Sequence, residues 1–282
     1  MVVPGHDRPL MRWRGSGKTM TSARIIAVFN HKGGVGKTTT AVNLAAGLCL
    51  SYGKRCLVVD MDPQANATRA LLGVEVTDAQ PTMRDVLLNE GPAHRSIVEV
   101  VAKTSLPGLS VAVADLSLSE AELKLASRMS RELVLRECLG PAISSFDFIV
   151  IDCAPSLGLL TLNGLAAAQG VIIPCETQFL SLRGLRYVLD VLNLVKARLN
   201  PAMRVLGVLP TKFYVLSKAN NEALDCMRNL KQVHVFDAVV PRDVRAEEAP
   251  SHGRSLIEYA PESRAAAQYR KFAGEVIALC QG

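Results

Sequence analysis

Six short runs along the chain are apolar on both faces. They are RIIAVFN (24–30), KRCLVVD (54–60), LSVAVAD (109–115), FDFIVID (146–152), GVIIPCE (170–176) and RVLGVLP (204–210). Rich in Val and Ile and without polar alternation, they read as strands covered on both sides. Helical patterns separate them, over 38–51, 118–139, 157–168, 180–199, 217–230 and 262–280. The clearest is 180–199, where Leu182, Leu185, Val188, Leu189, Leu192 and Val195 fall on one stripe. The alternation predicts an α/β fold, a doubly wound, mostly parallel sheet with helices on both faces. Ligands of such sheets sit beyond the carboxyl ends of the strands. The residues that follow each strand are therefore where chemistry is to be sought.

Composition narrows the class. The chain has 282 residues, 49% hydrophobic and 21% charged, enough to bury a sizeable core. No apolar run approaches the roughly 18 to 20 residues of a spanning helix. The opening MVVPGHDRPLMRWRGSGKTM lacks the apolar centre of a secretory signal. A cytoplasmic chain with no stable membrane association is expected. Seven cysteines without a C-x-x-C pair read as reduced, buried thiols. The net charge is +6, and residues 1–19 supply half of it through Arg8, Arg12, Arg14 and Lys18 against Asp7. The rest carries a mild excess that permits an anionic partner without demanding one.

Two Gly-Lys-Thr triplets occur within the first forty residues. In NHKGGVGKTTT the triplet follows the first predicted strand and opens a helical pattern, the context of a phosphate-binding loop. Gly33, Gly34, Val35 and Gly36 let backbone N–H groups converge on phosphate oxygens. The helix start at Thr38 and Thr39 adds positive potential. Lys37 reaches the β- and γ-phosphates, and the Thr38 hydroxyl ligates Mg²⁺. The strict pattern wants glycine at position 31, and His31 stands there. In RGSGKTM no strand precedes the glycines. Residues 1–21 are expected to be a disordered extension, with 22–282 forming a single phosphate-loop domain.

Carboxylates complete the pattern. The second strand ends in VVDMDPQANAT and the fourth in FIVID, so Asp60, Asp62 and Asp152 stand at the same edge as the loop. An acid after an apolar strand holds Mg²⁺ directly or through water. Asp62 is placed to orient or deprotonate an attacking water. Capping of a following helix is the plainer role for any one of them.

These segments, with VIIPCETQFLSLRGL and VVPRDVRAEEAPSHGRSL, resemble the ParA/Soj branch of the ParA/MinD ATPases, the deviant Walker-A group of P-loop NTPases. The resemblance runs from about Ser22 to Ala278. It implies ATP/ADP and Mg²⁺ as cofactors, held by Lys32 to Thr39, with Thr38, Asp62 and Asp152 at the metal. It implies that Lys32 reaches across an ATP-bound sandwich homodimer to the partner's phosphate, so that Lys32, Lys37 and Asp62 carry the catalysis. Pro241 and Asp243 match positions at the adenine-ribose end, although the family usually has Asn at the latter. Arg245 matches a DNA-binding arginine, with Arg242 and Lys218 nearby. Leu216 falls where the family commonly has a second such arginine.

The function implied is an ATP-dependent partition or positioning ATPase. Its ATP dimer binds double-stranded DNA nonspecifically, associates with the nucleoid, and is stimulated to hydrolyse ATP by a ParB-like protein. The alternative is a MinD-like membrane-cycling ATPase, which needs an amphipathic C-terminal helix. A redox relative with a bridging cluster would need thiolates from Cys153 and Cys175. Packing is the simpler account of both cysteines.

Overall fold

The computed structural model describes residues 23–73, 80–88 and 95–281. The RGSGKTM segment and the expected extension over 1–21 lie outside them. Seven strands form one sheet: β1 (Arg24–Val28), β2 (Cys56–Met61), β3 (Val101–Lys103), β4 (Leu109–Ala112), β5 (Phe148–Cys153), β6 (Gly170–Glu176) and β7 (Arg204–Thr211). Their order is β3-β4-β2-β5-β1-β6-β7. All neighbours are parallel except β3, which runs antiparallel to β4 at the edge. The six expected strands are all present. β3 was not foreseen, because three residues carry no alternation to read.

The helices are α1 (Lys37–Tyr52), α2 (Asn66–Leu72), α3 (Met83–Leu88), α4 (Leu118–Leu125), α5 (Val134–Cys138), α6 (Leu159–Ala167), α7 (Phe179–Arg198), α8 (Lys218–Arg228), α9 (Arg245–Glu248), α10 (Leu256–Tyr259) and α11 (Arg264–Gln281). One group packs α1 against α2, α10 and α11, and another packs α6 against α5 and α7. Both α1 and α6 lean on β1, β2 and β5, so the central strands are covered from two sides. This is why they are apolar on both faces. Gly47 brings α1 close to α11, since a Cβ there would stand 3.0 Å from the Ala273 methyl.

One expected helix is corrected. The stretch 118–139 is two helices, α4 and α5, separated at Ser130, whose φ is 53°. The break is stitched from outside. Asn163 on α6 donates to the Arg131 carbonyl (2.7 Å) and accepts from the Leu135 N–H (3.0 Å). A side chain thus replaces helical hydrogen bonds at the interruption.

Candidate functional site

β1 ends at the centre of the sheet, between β5 and β6, and the chain turns there into the glycine loop. Gly34 (φ 76°) and Gly36 (φ 88°) take the left-handed conformation that side-chain-bearing residues avoid. Gly36 is the N-cap of α1, and no side chain caps that helix start, so its N–H groups face outward. Gly33, Gly34, Val35, Gly36, Lys37, Thr38 and Thr39 line a cleft of about 530 Å³. Asp62, Lys212, Pro241, Arg242, Asp243 and the buried Tyr269 line it further. A cleft of the same volume beside Leu50 and Glu258 has no glycine loop in its lining and shares only Arg254 with the first.

Lys37 is buried, and its ammonium donates to the Lys32 carbonyl (3.0 Å), which folds it into its own loop. Burial lowers its pKa, and the charge of Asp152 opposes that shift. Lys32 behaves differently. Its ammonium turns away to Glu176 Oε2 at 2.6 Å, with 43% of the side chain exposed. Asn30 holds the loop's entry, donating to the Pro174 carbonyl (2.8 Å) and accepting from the Lys32 N–H (3.0 Å). His31 fits where glycine was expected because Gly184 leaves room: a Cβ there would stand 3.3 Å from the imidazole. Its ring packs edge-on against Tyr187, 5.0 Å between centroids.

The three aspartates have three situations. Asp60 is wholly tied up, accepting from Thr68 N (2.8 Å), Thr68 Oγ1 (2.8 Å) and Asp62 N (3.2 Å). It anchors the start of α2, the plainer role weighed for these acids. Asp62 lines the cleft and spends one oxygen on the Gln64 N–H (2.9 Å). Asp152 is fully buried, and neither carboxylate oxygen accepts a hydrogen bond of ordinary geometry. Burial pushes its carboxyl well above the usual range, and neighbouring Asp60 adds to this. The nearby Thr38 hydroxyl and Lys37 ammonium offset only part. An orphaned buried carboxylate beside a phosphate-type loop fits a divalent cation.

Of the remaining assigned residues, Pro241, Arg242 and Asp243 line the cleft, and Arg245 and Lys218 do not. Asp243 receives Arg245 in a two-pronged pair, 2.8 and 2.9 Å, which holds its carboxyl below the ordinary value. Arg242 donates to the Tyr214 hydroxyl (2.6 Å) and lies 3.9 Å from Glu247. Lys218, at the start of α8, is well exposed and 3.9 Å from Glu222. Leu216 is entirely exposed. Each of the three cations assigned to DNA thus already has an acidic or phenolic neighbour.

Two further expectations meet this geometry. The apolar residues of α11, among them Ala265, Ala266, Tyr269, Phe272, Ala273 and Val276, are buried in the core, so that face is not available to a membrane. No described helix is long and apolar enough to cross one. Cys153 and Cys175 are buried too. Burial pushes the Cys153 thiol far up and that of Cys175 up to about 12, which keeps both protonated. Packing accounts for both. Glu176, Lys212 and Asn30 were missed by the sequence reading. Glu176 had the same signal as Asp152, an acid closing an apolar strand.

Residues 23–205 match a family model described as an AAA domain. The sporulation initiation inhibitor protein Soj of Bacillus subtilis is 41% identical over 256 residues, covering 90% of this chain and 98% of that one. The chromosome partitioning protein ParA of Myxococcus xanthus is 41% identical over 264 residues, covering 94% and 91%. A solved structure of cobyrinic acid a,c-diamide synthase from Mycobacterium smegmatis, with bound ATP analogue and magnesium, superposes with a TM-score of 0.78. It is 32% identical and covers 90% of this chain and 94% of that one.

Proposed function

The chain belongs to the ParA/Soj branch of the ParA/MinD P-loop ATPases, and from that membership we propose how its residues divide the work. It is a partition or positioning ATPase using ATP and Mg²⁺. Two copies close face to face on ATP. Lys37 serves the nucleotide in its own loop, and Lys32 serves the nucleotide of the other copy. The observation that carries this division is the opposite orientation of two lysines five residues apart. Lys37 is buried in its own loop while Lys32 stands outside it, half exposed.

The backbone N–H groups of Gly33 to Thr39 cradle the phosphates. Mg²⁺, when bound, neutralises phosphate charge as it develops. Thr38, Asp62 and Asp152 would hold it. Asp62 orients the attacking water through its free oxygen. Pro241 and Asp243 border the base and ribose. Arg245, Arg242 and Lys218 meet DNA phosphates, and the sandwich doubles that surface. A ParB-like protein accelerates hydrolysis, and the ADP form leaves the nucleoid. Residues 22–282 act as one domain.

The test is Asp62→Ala in the full chain. It is expected to bind ATP, lose hydrolysis, and accumulate as a DNA-bound dimer in light scattering and gel-shift assays. Normal hydrolysis by that variant removes Asp62 from the mechanism. A chain that stays monomeric and off DNA with ATP removes the cycle.

A further inference from the structure

We propose that Glu176 is a positioning residue that parks the Lys32 ammonium while the chain is alone, and that Lys212 replaces Lys32 on it when Lys32 leaves. The proposal rests on the reading above that Lys32 acts in a second copy. Glu176 ends β6 with its side chain only 11% exposed. One oxygen takes Lys32 Nζ at 2.6 Å, and Lys212 Nζ stands 3.6 Å from the other. A single carboxylate therefore faces two lysines, one on each oxygen. Both lysine side chains are more than two-fifths exposed, so either can swing.

A nearly buried carboxylate that loses its only cation is strongly destabilised. With Lys32 as its sole partner, Glu176 would resist any departure of that lysine. Lys212 removes the obstacle, because it is already within ion-pair reach. Its backbone supports a dedicated placement. Lys212 follows β7 with φ 51°, a left-handed conformation that a non-glycine residue holds only when its surroundings force it. Those surroundings are on both sides. Thr211 Oγ1 donates to the Val35 carbonyl of the glycine loop (2.9 Å), and Phe213 N donates to the Val240 carbonyl (3.1 Å). Lys212 is thus fixed to the same loop that carries Lys32.

Glu176→Gln and Lys212→Gln, singly and together, test the exchange in the full chain. The dimer dissociation constant is measured by sedimentation at saturating non-hydrolysable ATP analogue and Mg²⁺. Thermal unfolding checks that each variant is folded. Glu176→Gln frees Lys32, and a dimer about threefold to tenfold tighter is expected, the scale of a partly exposed ion pair. Lys212→Gln strengthens the hold on Lys32 and is expected to weaken the dimer by a similar factor. Combined with Glu176→Gln it is expected to have no effect, since nothing is left to share. A folded Glu176→Gln with an unchanged or weaker dimer overturns the proposal. So does a Lys212→Gln effect of equal size in both backgrounds, which places Lys212 on the nucleotide directly. A wild-type chain that stays monomeric overturns the dimer reading, and this inference with it. A wild type that dimerises while the variants do not shift overturns the exchange alone.

Discussion

Asp152→Asn is expected to stabilise the nucleotide-free protein and to cost it its response to Mg-ATP. Asp152 is fully buried with both oxygens unbonded. A buried polar group left unsatisfied costs about 1–3 kcal/mol, and a charged one costs more. Burial raises its pKa well above the ordinary carboxylate range, so at neutral pH keeping the group charged is costly, and taking up a proton instead costs about 1.4 kcal/mol for each pH unit above the ordinary pKa. Asparagine has the same shape, so no cavity term enters, and its own unmet hydrogen bonds offset those of the neutral acid, leaving the charge-related cost as the gain. Loss of the attraction to Lys37 subtracts part of the gain. The net is roughly 1–2 kcal/mol, or about 2–8 °C in Tm for a domain of this size. Mg-ATP reverses the order. A ligand at a hundred times its Kd adds about 2.7 kcal/mol to the state that binds it, and the variant forfeits the magnesium share of that. Scanning calorimetry at neutral pH, first with EDTA and then with Mg-ATP, reads both halves. A variant that melts below wild type without nucleotide shows that Asp152 was satisfied after all. A variant stabilised by Mg-ATP as much as wild type shows that the carboxylate does not serve the metal.

Lys32→Ala should leave nucleotide binding to the single chain nearly intact while abolishing hydrolysis and weakening the ATP dimer. A steady-state ATPase assay beside a fluorescent-nucleotide titration separates the two. Arg245→Ala should lower DNA affinity and reduce the steepness of its salt dependence by about one unit if the arginine meets one phosphate. An unchanged slope in gel shifts at several salt concentrations removes that contact. Asn30→Ala breaks the bonds to the Pro174 carbonyl and the Lys32 N–H, leaving a buried carbonyl unpaired. A loss of about 1–3 kcal/mol is expected in urea unfolding, with weaker nucleotide binding because the loop's entry is no longer held.

The sheet was legible because its strands are buried on both faces and each ends in residues that change character abruptly. The glycine loop was legible for a related reason: left-handed Gly34 and Gly36 allow few substitutes. What escaped was set by partners distant in sequence. The split between α4 and α5 depends on Asn163, some thirty residues on. Asp60 looked like Asp62 and Asp152 in the sequence, and only the bonds from Thr68 show that it is spent on α2. The histidine at position 31 broke the loop pattern on paper. It is accommodated in space by the absence of a side chain at Gly184.

The residues ahead of the glycines explain why Lys32 needs that particular setting. Asn30 is bonded to β6, His31 packs on Tyr187 of α7, and Lys32 pairs with the last residue of β6. On the other flank, Thr211 at the end of β7 takes hold of the Val35 carbonyl. The near side of the phosphate loop is therefore fastened to β6, α7 and β7. Asp62 is fastened elsewhere, through Asp60 and Thr68 to the Ala114 N–H beyond β4. The two halves of the site are braced by different parts of the sheet and meet across the cleft. A displacement of α7 acts on the Lys32 side without first disturbing Asp62. Any surface that presses on α7 thus has a short physical route to Lys32, through His31 and Tyr187, and a longer one to Asp62.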